Sequence, residues 1–268
     1  MSQREESLDA LGFYDELGAD YDLMVSWKQR LEREAGFLRR MRHESGAASV
    51  LDVACGTGMH AITLAREGMR CAAADISPHM IARARQNAAA ADAAVDFRVA
   101  AFGKLRQAFP GTFDLVTCLG NSLPHLLDDD SLREALRDLA QVLSPGGLLV
   151  IQNRNYDRLL TEGARFMPVT ARAHGADETL FLRLTDIRSG DPEHVDFTIV
   201  TLRKREGAWS QSIRSTPLRA LRRRLLEESL PQAGFSGIRV WGGYDGSPFD
   251  ETGSLDLVVA ARTAGPRP

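Results

Sequence analysis

The feature that most constrains this fold is a short apolar strand that runs directly into a glycine turn. Residues 50–58 read Val-Leu-Asp-Val-Ala-Cys-Gly-Thr-Gly. A turn of this kind leads a buried strand into a helix and lets the backbone approach a bound nucleotide or nucleoside closely. A second apolar run, residues 70–75, ends in Asp75, at a spacing that suits a carboxylate on a ribose. The pattern predicts a nucleoside cofactor bound at the edge of a parallel sheet.

Short apolar runs alternate with helical patterns through the middle of the chain, which is typical of a doubly wound α/β sheet. The Ser77-Pro78 pair is typical of a helix start, because serine caps a helix and proline suits its first position. We predict strands at residues 49–54, 70–75, 95–99, 113–119, 147–152, 236–241 and 255–261, and helices at residues 59–67, 78–90, 131–142 and 217–230.

Two segments depart from this alternation. Residues 1–45 carry leucines and aromatic residues at helical spacing, which predicts an N-terminal helical cap. Residues 166–216 alternate apolar and polar side chains, which predicts an antiparallel β insertion. We therefore expect the cofactor-binding domain to comprise residues 46–165 and 217–263.

The charge and the cysteines exclude several classes of protein. The 33 basic and 36 acidic residues give a formal net charge of -3, so we predict neither a nucleic acid nor a membrane partner. The three cysteines lack metal-ligand spacing, and we predict no metal site. The sequence has no hydrophobic signal core and no apolar run of about 18 residues, so we expect a soluble cytoplasmic protein that binds a small molecule. The sequence leaves open whether the protein forms a homo-oligomer.

The acid Asp52 separates two kinds of nucleoside cofactor. The turn from Gly56 to Ala61 also fits nicotinamide and flavin sites, whose backbone amides bind a pyrophosphate. A carboxylate beside the turn would repel that dianion, whereas S-adenosylmethionine carries an ammonium, a sulfonium and no phosphate. The residues therefore favour S-adenosylmethionine over the cofactor of a nicotinamide-dependent oxidoreductase. Asp75 suits a ribose in either cofactor, and its alternative role is to cap the helix that begins at Ser77.

Four segments give the chain a family resemblance. Residues 51–58, Leu-Asp-Val-Ala-Cys-Gly-Thr-Gly, and residues 74–80, Ala-Asp-Ile-Ser-Pro-His-Met, closely resemble the first two motifs of class I S-adenosylmethionine-dependent methyltransferases. Residues 118–126 and 153–157 are similar to segments of the glycine and sarcosine N-methyltransferase group. The resemblance covers most of residues 45–155. It implies a doubly wound, Rossmann-like methyltransferase sheet, to which the N-terminal cap and the antiparallel β insertion are added.

The resemblance places a cofactor site at the glycine turn and the strand ends. The predicted cofactor-binding residues are Arg30, Asp52, Ala54, Gly56, Gly58, Asp75, Ile76, Met80, Ala101, Phe102 and Leu119. By the resemblance, Ala54 and Gly56 pass close to the methionine moiety and Asp75 binds the ribose hydroxyls. Phe102 would stack on the adenine or pack in the core, since the polar contact usual in the family is absent there. Arg30 would bind the cofactor carboxylate or lie on a solvated helix face.

The acceptor site is predicted beyond the fourth and fifth strands, where ligands bind in open α/β sheets. The resemblance assigns Arg154 to the carboxylate of an amino acid acceptor, with a surface arginine at a strand end as the alternative. Asn121 would hydrogen-bond the amine or serve as a turn residue. His125 is the nearest candidate for a base, with a packed histidine as the alternative. Tyr14 and Tyr21 of the cap would reach across the cleft or pin an amphipathic helix.

The predicted site has no convincing set of acid, base and metal ligands, which favours N-methylation. Methyl transfer is an in-line displacement that requires alignment and exclusion of water rather than a nucleophilic side chain. We predict N-methylation of an amine of amino acid type. The alternative is a larger natural-product acceptor methylated at oxygen or nitrogen. A binding protein that senses S-adenosylmethionine without turnover fits the same residues.

Overall fold

The computed structural model describes residues 9–18 and 20–265, which form two β-sheets and the helices around them. Residues 1–8 of the predicted cap lie outside the described residues. In chain order the elements are α1 (Ala10–Leu17), α2 (Asp20–Met24), α3 (Trp27–Ser45), β1 (Ser49–Val53), α4 (Met59–Arg66), β2 (Arg70–Asp75), α5 (Pro78–Ala90), β3 (Val95–Val99), α6 (Leu105–Ala108), β4 (Phe113–Cys118), α7 (Asp129–Gln141), β5 (Leu143–Arg154), α8 (Tyr156–Glu162), β6 (Thr170–His174), β7 (Asp177–Ile187), β8 (His194–Arg205), β9 (Ala208–Arg219), α9 (Arg223–Gln232), β10 (Phe235–Trp241) and β11 (Asp256–Thr263).

The larger sheet has seven strands in the order β10-β11-β5-β4-β1-β2-β3. Strands β1 to β5 pair in parallel, while β11 is antiparallel to both β5 and β10. The direction of winding reverses between β1 and β4, and a crevice for ligands forms at such a switch point. The predicted fold class, a doubly wound α/β sheet with an additional antiparallel sheet, is confirmed.

The central sheet is buried on both faces. Val50 and Leu51 of β1 are both fully buried, yet they belong to two different apolar clusters on opposite sides of the strand. Helices cover both faces, which explains why the strands read as continuous apolar runs rather than as alternating patterns. Their carboxyl ends therefore form a rigid edge on which site residues are fixed.

The N-terminal helices join the two sheets. Helix α3 begins after Ser26, whose Oγ accepts a hydrogen bond from the Gln29 amide, and it ends at Gly46 in the left-handed conformation. Helices α1 and α2 bury Phe13, Leu17 and Met24 in a cluster with Phe181 and Ile199 of the antiparallel sheet. Among residues 9–18 and 20–265, no helix has both the length and the apolar composition needed to cross a bilayer.

The second sheet has the order β6-β7-β8-β9 and lies in the segment for which the sequence predicts an antiparallel insertion. The predicted helix over 217–230 is wrong at its start, because Pro217–Arg219 belongs to β9 and α9 begins only at Arg223. Leu218 has helical spacing to Leu221 and Leu225, but it pairs with Val195 of β8 across the sheet. This long-range strand pairing outweighs the local helical pattern.

Candidate active site

Two cavities open at the carboxyl ends of the parallel strands and meet beneath the N-terminal helices. The smaller cavity has a volume of about 190 Å³ and lies at the ends of β1 and β4. The larger cavity, of about 770 Å³, extends from there to the antiparallel sheet. The residues that line both cavities are Tyr14, Tyr21, Gly120 and His125. Two ligands, one in each cavity, would therefore face each other at this junction.

The glycine turn after β1 forms one wall of the smaller cavity. Ala54 and Gly56 line it, with φ angles of 54° and 55°. The positive φ of Gly56 favours glycine there, and a Cβ would meet Cε1 of Tyr21 at 3.5 Å, an ordinary contact distance. Ala54 is under backbone strain, because a residue with a side chain rarely adopts a positive φ. The two predicted residues thus present backbone to the cavity.

Asp75 ends β2 at the edge of the same cavity and is 7% exposed. Its Oδ2 accepts a hydrogen bond from the Gly56 amide at 2.8 Å, and its Oδ1 accepts one from the Ser77 amide at 2.9 Å. Burial raises the pKa of Asp75, although these two amides oppose the shift. Helix α5 is capped by Ser77, whose Oγ accepts from the Met80 amide, so Asp75 is not its cap. A carboxylate has about four acceptor sites, so acceptor capacity remains for ribose hydroxyls.

The rest of the smaller cavity is mostly apolar. The predicted residues on this wall are Ile76, Met80, Ala101, Phe102 and Leu119. Phe102 also packs against the main core, so the two positions predicted for it are compatible. Apolar and aromatic walls of this kind accommodate the flat face of a nucleobase.

Two predicted cofactor residues, Asp52 and Gly58, do not line any of the cavities found in the described part of the chain. Asp52 is 1% exposed, and its Oδ1 accepts a hydrogen bond from Oγ1 of Thr117 at 2.8 Å. Burial raises its pKa. A Cβ on Gly58 would lie 3.0 Å from the ring of Phe97, so this glycine permits close packing of helix on sheet. Neither residue lines these cavities, and their roles in cofactor binding stay predictions.

Arg30 of α3 reaches the junction from the side of the cap. It lines the larger cavity and a narrow cavity of about 20 Å³ that also borders Ala54, so it does not lie on a solvated helix face. Its Nε donates to Oε1 of Glu34 at 3.0 Å. Glu34 is fully buried, and its Oε2 is 2.6 Å from Nε2 of His60. Burial opposes ionisation of Glu34, but His60 and Arg30 outweigh it and hold its pKa at about 2.

The larger cavity is strongly cationic. The arginines that line it are Arg30, Arg33, Arg154, Arg158, Arg172 and Arg183. Among the described residues, Asp256 is the one acidic residue that lines this cavity. Three of the arginines are paired with Glu34 or Glu162. Arg154 and Arg183 have no carboxylate within 4.0 Å in the part of the chain that the structure describes. The cavity is therefore suited to an anionic ligand.

Hydrogen bonds at the backbone amide and at the guanidinium group hold Arg154 in position. Its backbone amide donates to Oδ1 of Asn121 at 2.9 Å, and its Nη1 donates to Oγ1 of Thr185 at 2.8 Å. Asn121 has a φ of 67°, and its Nδ2 donates to the hydroxyl of Tyr156 at 3.0 Å. Both polar atoms of the Asn121 side chain are therefore bonded to the protein. This arrangement favours the turn role of Asn121, as a support for Arg154, over contact with an acceptor amine.

His125 lies at the junction, in a short 3₁₀ turn at Leu123–His125. Its Nε2 is 3.2 Å from the hydroxyl of Tyr14, so Tyr14 of the cap contacts this residue. Burial lowers the pKa of His125 from 6.5 to about 4. The imidazole is neutral at neutral pH and has little tendency to take a proton from an ammonium.

Sequence reasoning missed several residues of the site. Arg183 comes from β7. The alternation of side chains along that strand could have identified it, because Arg183 shares one face with the buried Phe181 and Thr185. A second missed residue is Asp256, whose Oδ1 accepts a hydrogen bond from Nε2 of Gln152 at 2.8 Å. Gln152 itself lies at the end of the predicted fifth strand, on the predicted acceptor side, and its Oε1 accepts from the Gly120 amide at 2.8 Å. Both contacts join residues that are far apart in the chain, so the spacing of residues in the sequence does not predict them.

Known proteins share both the sequence motifs and the fold. A methyltransferase-domain family model matches residues 50–147. A glycine/sarcosine N-methyltransferase of Parasynechococcus marenigrum is 40% identical over 176 residues, which cover 66% of this chain and 59% of that protein. A glycine/sarcosine N-methyltransferase of Aphanothece halophytica is 29% identical over 242 residues, which cover 90% of this chain and 86% of that protein. The chain thus matches about three fifths of the length of the first relative.

Solved structures support the fold. A S-adenosylmethionine-dependent methyltransferase of Clostridium acetobutylicum superimposes with a TM-score of 0.75 at 17% identity, covering 94% of this chain and 99% of that one. An amino pentose methyltransferase of Micromonospora echinaspora, solved with S-adenosylmethionine bound, has a TM-score of 0.69 at 23% identity, covering 91% and 95%.

The strand order and the superpositions show the fold of the class I S-adenosylmethionine-dependent methyltransferases, and residues 50–147 match a methyltransferase-domain family model. Within that class its sequence resembles the glycine/sarcosine N-methyltransferases. The predicted resemblance to this class is confirmed, and the matches support S-adenosylmethionine as the cofactor. The residues present fit the cofactor, because the smaller cavity combines exposed backbone at Gly56, the acceptor atoms of Asp75 and an apolar wall. The roles of the individual site residues stay predictions.

Proposed function

We propose that the protein transfers a methyl group from S-adenosylmethionine to the nitrogen of a small amine of amino acid type. The position of Arg154 carries this proposal. Arg154 is half-buried and has no acidic partner within 4.0 Å among the described residues. It lines the larger cavity, which meets the smaller cavity at Tyr14 and His125. A carboxylate bound to its guanidinium by two parallel hydrogen bonds would orient an attached amine relative to that junction.

S-adenosylmethionine supplies an electrophilic methyl group when it is bound. The chain's own residues would hold it in the smaller cavity: the backbone at Ala54 and Gly56 beside the methionine moiety, and Asp75 on the ribose hydroxyls. Arg30 borders the narrow cavity next to Ala54, where its guanidinium would bind a carboxylate. Glu34 fixes that guanidinium through the 3.0 Å hydrogen bond to Nε. Arg30 therefore approaches the cofactor in a defined orientation.

The charge of the larger cavity supports attack by a neutral amine. A nearby positive charge disfavours the ammonium form, so the net positive charge of the cavity would lower the pKa of an acceptor amine. The neutral imidazole of His125 and the hydroxyls of Tyr14 and Tyr21 offer hydrogen-bonding groups at the junction. These groups would align the nitrogen lone pair, and the deprotonation would not require a dedicated base.

The N-terminal helices would exclude water from the reaction. Phe13 and Met24 line the larger cavity and are buried against Phe181 of the antiparallel sheet. A closed apolar cover of this kind strengthens the electrostatic interactions within the cavity.

One observation favours the second candidate, a larger natural-product acceptor. The larger cavity has a volume of about 770 Å³. Cavities of about 300–1,000 Å³ hold drug-sized ligands, so this one has room for more than a simple amino acid. An acceptor of that size would still be expected to present an anionic group to Arg154.

The proposal is tested by the formation of S-adenosylhomocysteine in the presence of glycine, sarcosine and a panel of primary amines with and without a carboxylate. Binding of S-adenosylmethionine is first measured by calorimetry. We expect turnover with carboxylate-bearing amines, and a loss of preference for them in Arg154→Gln. Arg224→Gln is the matched control, because Arg224 is exposed and paired with Glu228 on α9. Binding of the cofactor without turnover of any amine would contradict the proposal.

A further inference from the structure

We infer that Arg183 forms a second anion-binding subsite in the larger cavity, so that the preferred acceptor is an amine with two acidic groups. The role of this ligand as acceptor rests on the proposed function, whereas the subsite itself rests on the geometry of β7. The chemical class that fits is a short amino dicarboxylic acid.

The two arginines lie on the same wall of the cavity. Arg183 and Thr185 are on one face of β7, because side chains two residues apart in a strand point the same way. Nη1 of Arg154 donates to Oγ1 of Thr185 at 2.8 Å. Two residues of a strand span roughly 7 Å, so Arg183 leaves the sheet about that far from the anchor of Arg154. A short dicarboxylate is long enough to span a distance of about this size.

Arg183 has few partners within the protein. Its Nε is buried without a hydrogen-bond partner among the described residues. Its Nη2 donates only long hydrogen bonds, to the carbonyl oxygen of Pro168 at 3.3 Å and to Oγ1 of Thr170 at 3.4 Å. Burial and the positive charges of Arg154 and Arg30 lower its pKa. An arginine that stabilised the fold would be paired, so this one has donors available for a ligand.

Asp256, the acid that lines this cavity among the described residues, does not neutralise both arginines. Asp256 is opposite Arg154 in the pairing of β11 with β5, and it already accepts a hydrogen bond from Gln152. One carboxylate from the ligand would satisfy Arg154 and leave Arg183 unpaired in a cationic environment. A second anionic group on the ligand satisfies the donors of Arg183 and reduces the repulsion between the two guanidinium groups.

The test uses the full chain with S-adenosylhomocysteine bound, titrated in a calorimeter with L-aspartate, L-glutamate, glycine and O-phospho-L-serine. We expect an amino dicarboxylic acid to bind about 10-fold or more tightly than glycine, given the strength of charge-assisted hydrogen bonds. Arg183→Gln should abolish this preference and leave glycine binding unchanged, and Arg183→Lys should restore part of it. Equal losses for glycine and the dicarboxylic acids in Arg183→Gln would overturn the inference, because both arginines would then share one carboxylate.

Two controls separate the subsite from other effects. Arg205→Gln changes an exposed arginine of β8 that is paired with Asp177 and lies outside the cavity, and it should leave all four affinities unchanged. Arg183→Gln should unfold at the same temperature as the wild type or higher, because it removes a half-buried charge that has no carboxylate partner within 4.0 Å among the described residues. Tighter binding of phosphoserine that depends on Arg183 would support the subsite and make its second group a phosphate. Arg183-dependent binding of the diacids with no methylation of any amine in the panel would refute the proposed function and leave the subsite intact, whereas methylation of glycine but not of the diacids would overturn their role as preferred acceptors.

Discussion

The hydroxyl of Tyr14 and Nε2 of His125 form a hydrogen bond of 3.2 Å across the boundary between the two cavities. Tyr14 belongs to the N-terminal cap, and His125 follows β4 of the central sheet. Their rings also meet edge to face, with centroids 5.4 Å apart. The cap therefore completes the junction at which a methyl donor and an acceptor would meet, and the junction depends on the position of α1.

The burial of His125 predicts a pH dependence of stability. Its pKa is about 4 in the folded protein and ordinarily 6.5, so the unfolded chain binds this proton more tightly. The resulting stability is fully present above pH 6.5 and is lost as the pH falls through 4. We expect the free energy of unfolding to fall over this window, as measured by denaturant titration. In His125→Gln the fall should be smaller; equal slopes in the two proteins would show that His125 does not contribute.

The two sides of the site should respond differently to mutation. Asp75→Asn removes the charge that faces the ribose position, and we expect S-adenosylmethionine to bind about 10-fold more weakly, with little change in the KM of the acceptor. Arg154→Gln should raise the KM of the acceptor about 10-fold or more and leave binding of the cofactor nearly unchanged. Calorimetry and initial rates measure the two effects. Equal losses of both ligands in either variant would contradict this division of roles.

Glu34 should be a positioning residue for Arg30. Its carboxylate is fully buried between Arg30 and His60, and breaking such an arrangement costs about 3 kcal/mol. We expect Glu34→Gln to lose about that much free energy of unfolding and to bind S-adenosylmethionine more weakly. Since the folded pKa is about 2 against an ordinary 4.5, the stability from this group is present above pH 4.5 and lost as the pH falls toward 2.

The control for Glu34 is Glu162→Gln. Glu162 is the exposed partner of Arg158 within α8, and an ion pair of this kind contributes less than about 1 kcal/mol. Its loss should leave binding of S-adenosylmethionine unchanged. If both variants lost the same stability and neither changed the affinity for the cofactor, Glu34 would have no special role in holding Arg30.

The sequence predicts the parts of the site that depend on local chain geometry. The glycine turn and Asp75 follow directly from a strand that ends in a turn, because the backbone of neighbouring residues determines where they lie. The doubly wound sheet follows in the same way, from helices and strands that alternate at short spacing. Ala54, Gly56 and Asp75 therefore line the smaller cavity as expected.

Residues that depend on long-range pairing could not be placed from the sequence. Asp52 is adjacent to Thr117 only because β1 pairs with β4, and its Oδ1 accepts a hydrogen bond from Oγ1 of Thr117. Arg183 reaches the cavity only because β7 packs against the cap. The start of α9 was predicted too early for the same reason, since the pairing of Leu218 with Val195 extends β9. Side-chain direction at these positions is decided by partners far away in the chain.

The strained backbone of Ala54 gives a prediction about stability and affinity together. Its φ of 54° lies in the left-handed region, which costs a residue with a Cβ about 1–2 kcal/mol, whereas glycine adopts it freely. Part of this gain is offset by the greater freedom of glycine in the unfolded chain. We expect Ala54→Gly to raise the free energy of unfolding by about 0.5–1 kcal/mol in a denaturant titration.

Ala65→Gly is the matched control for Ala54, because Ala65 lies within helix α4 and glycine there should lower the free energy of unfolding by about 1 kcal/mol. Opposite signs for the two substitutions would show that the turn is strained. If Ala54→Gly also lowered the affinity for S-adenosylmethionine, the methyl group of Ala54 would be in contact with the cofactor. A lower free energy of unfolding in Ala54→Gly would mean that the methyl group of Ala54 stabilises the turn by more than its backbone strain destabilises it.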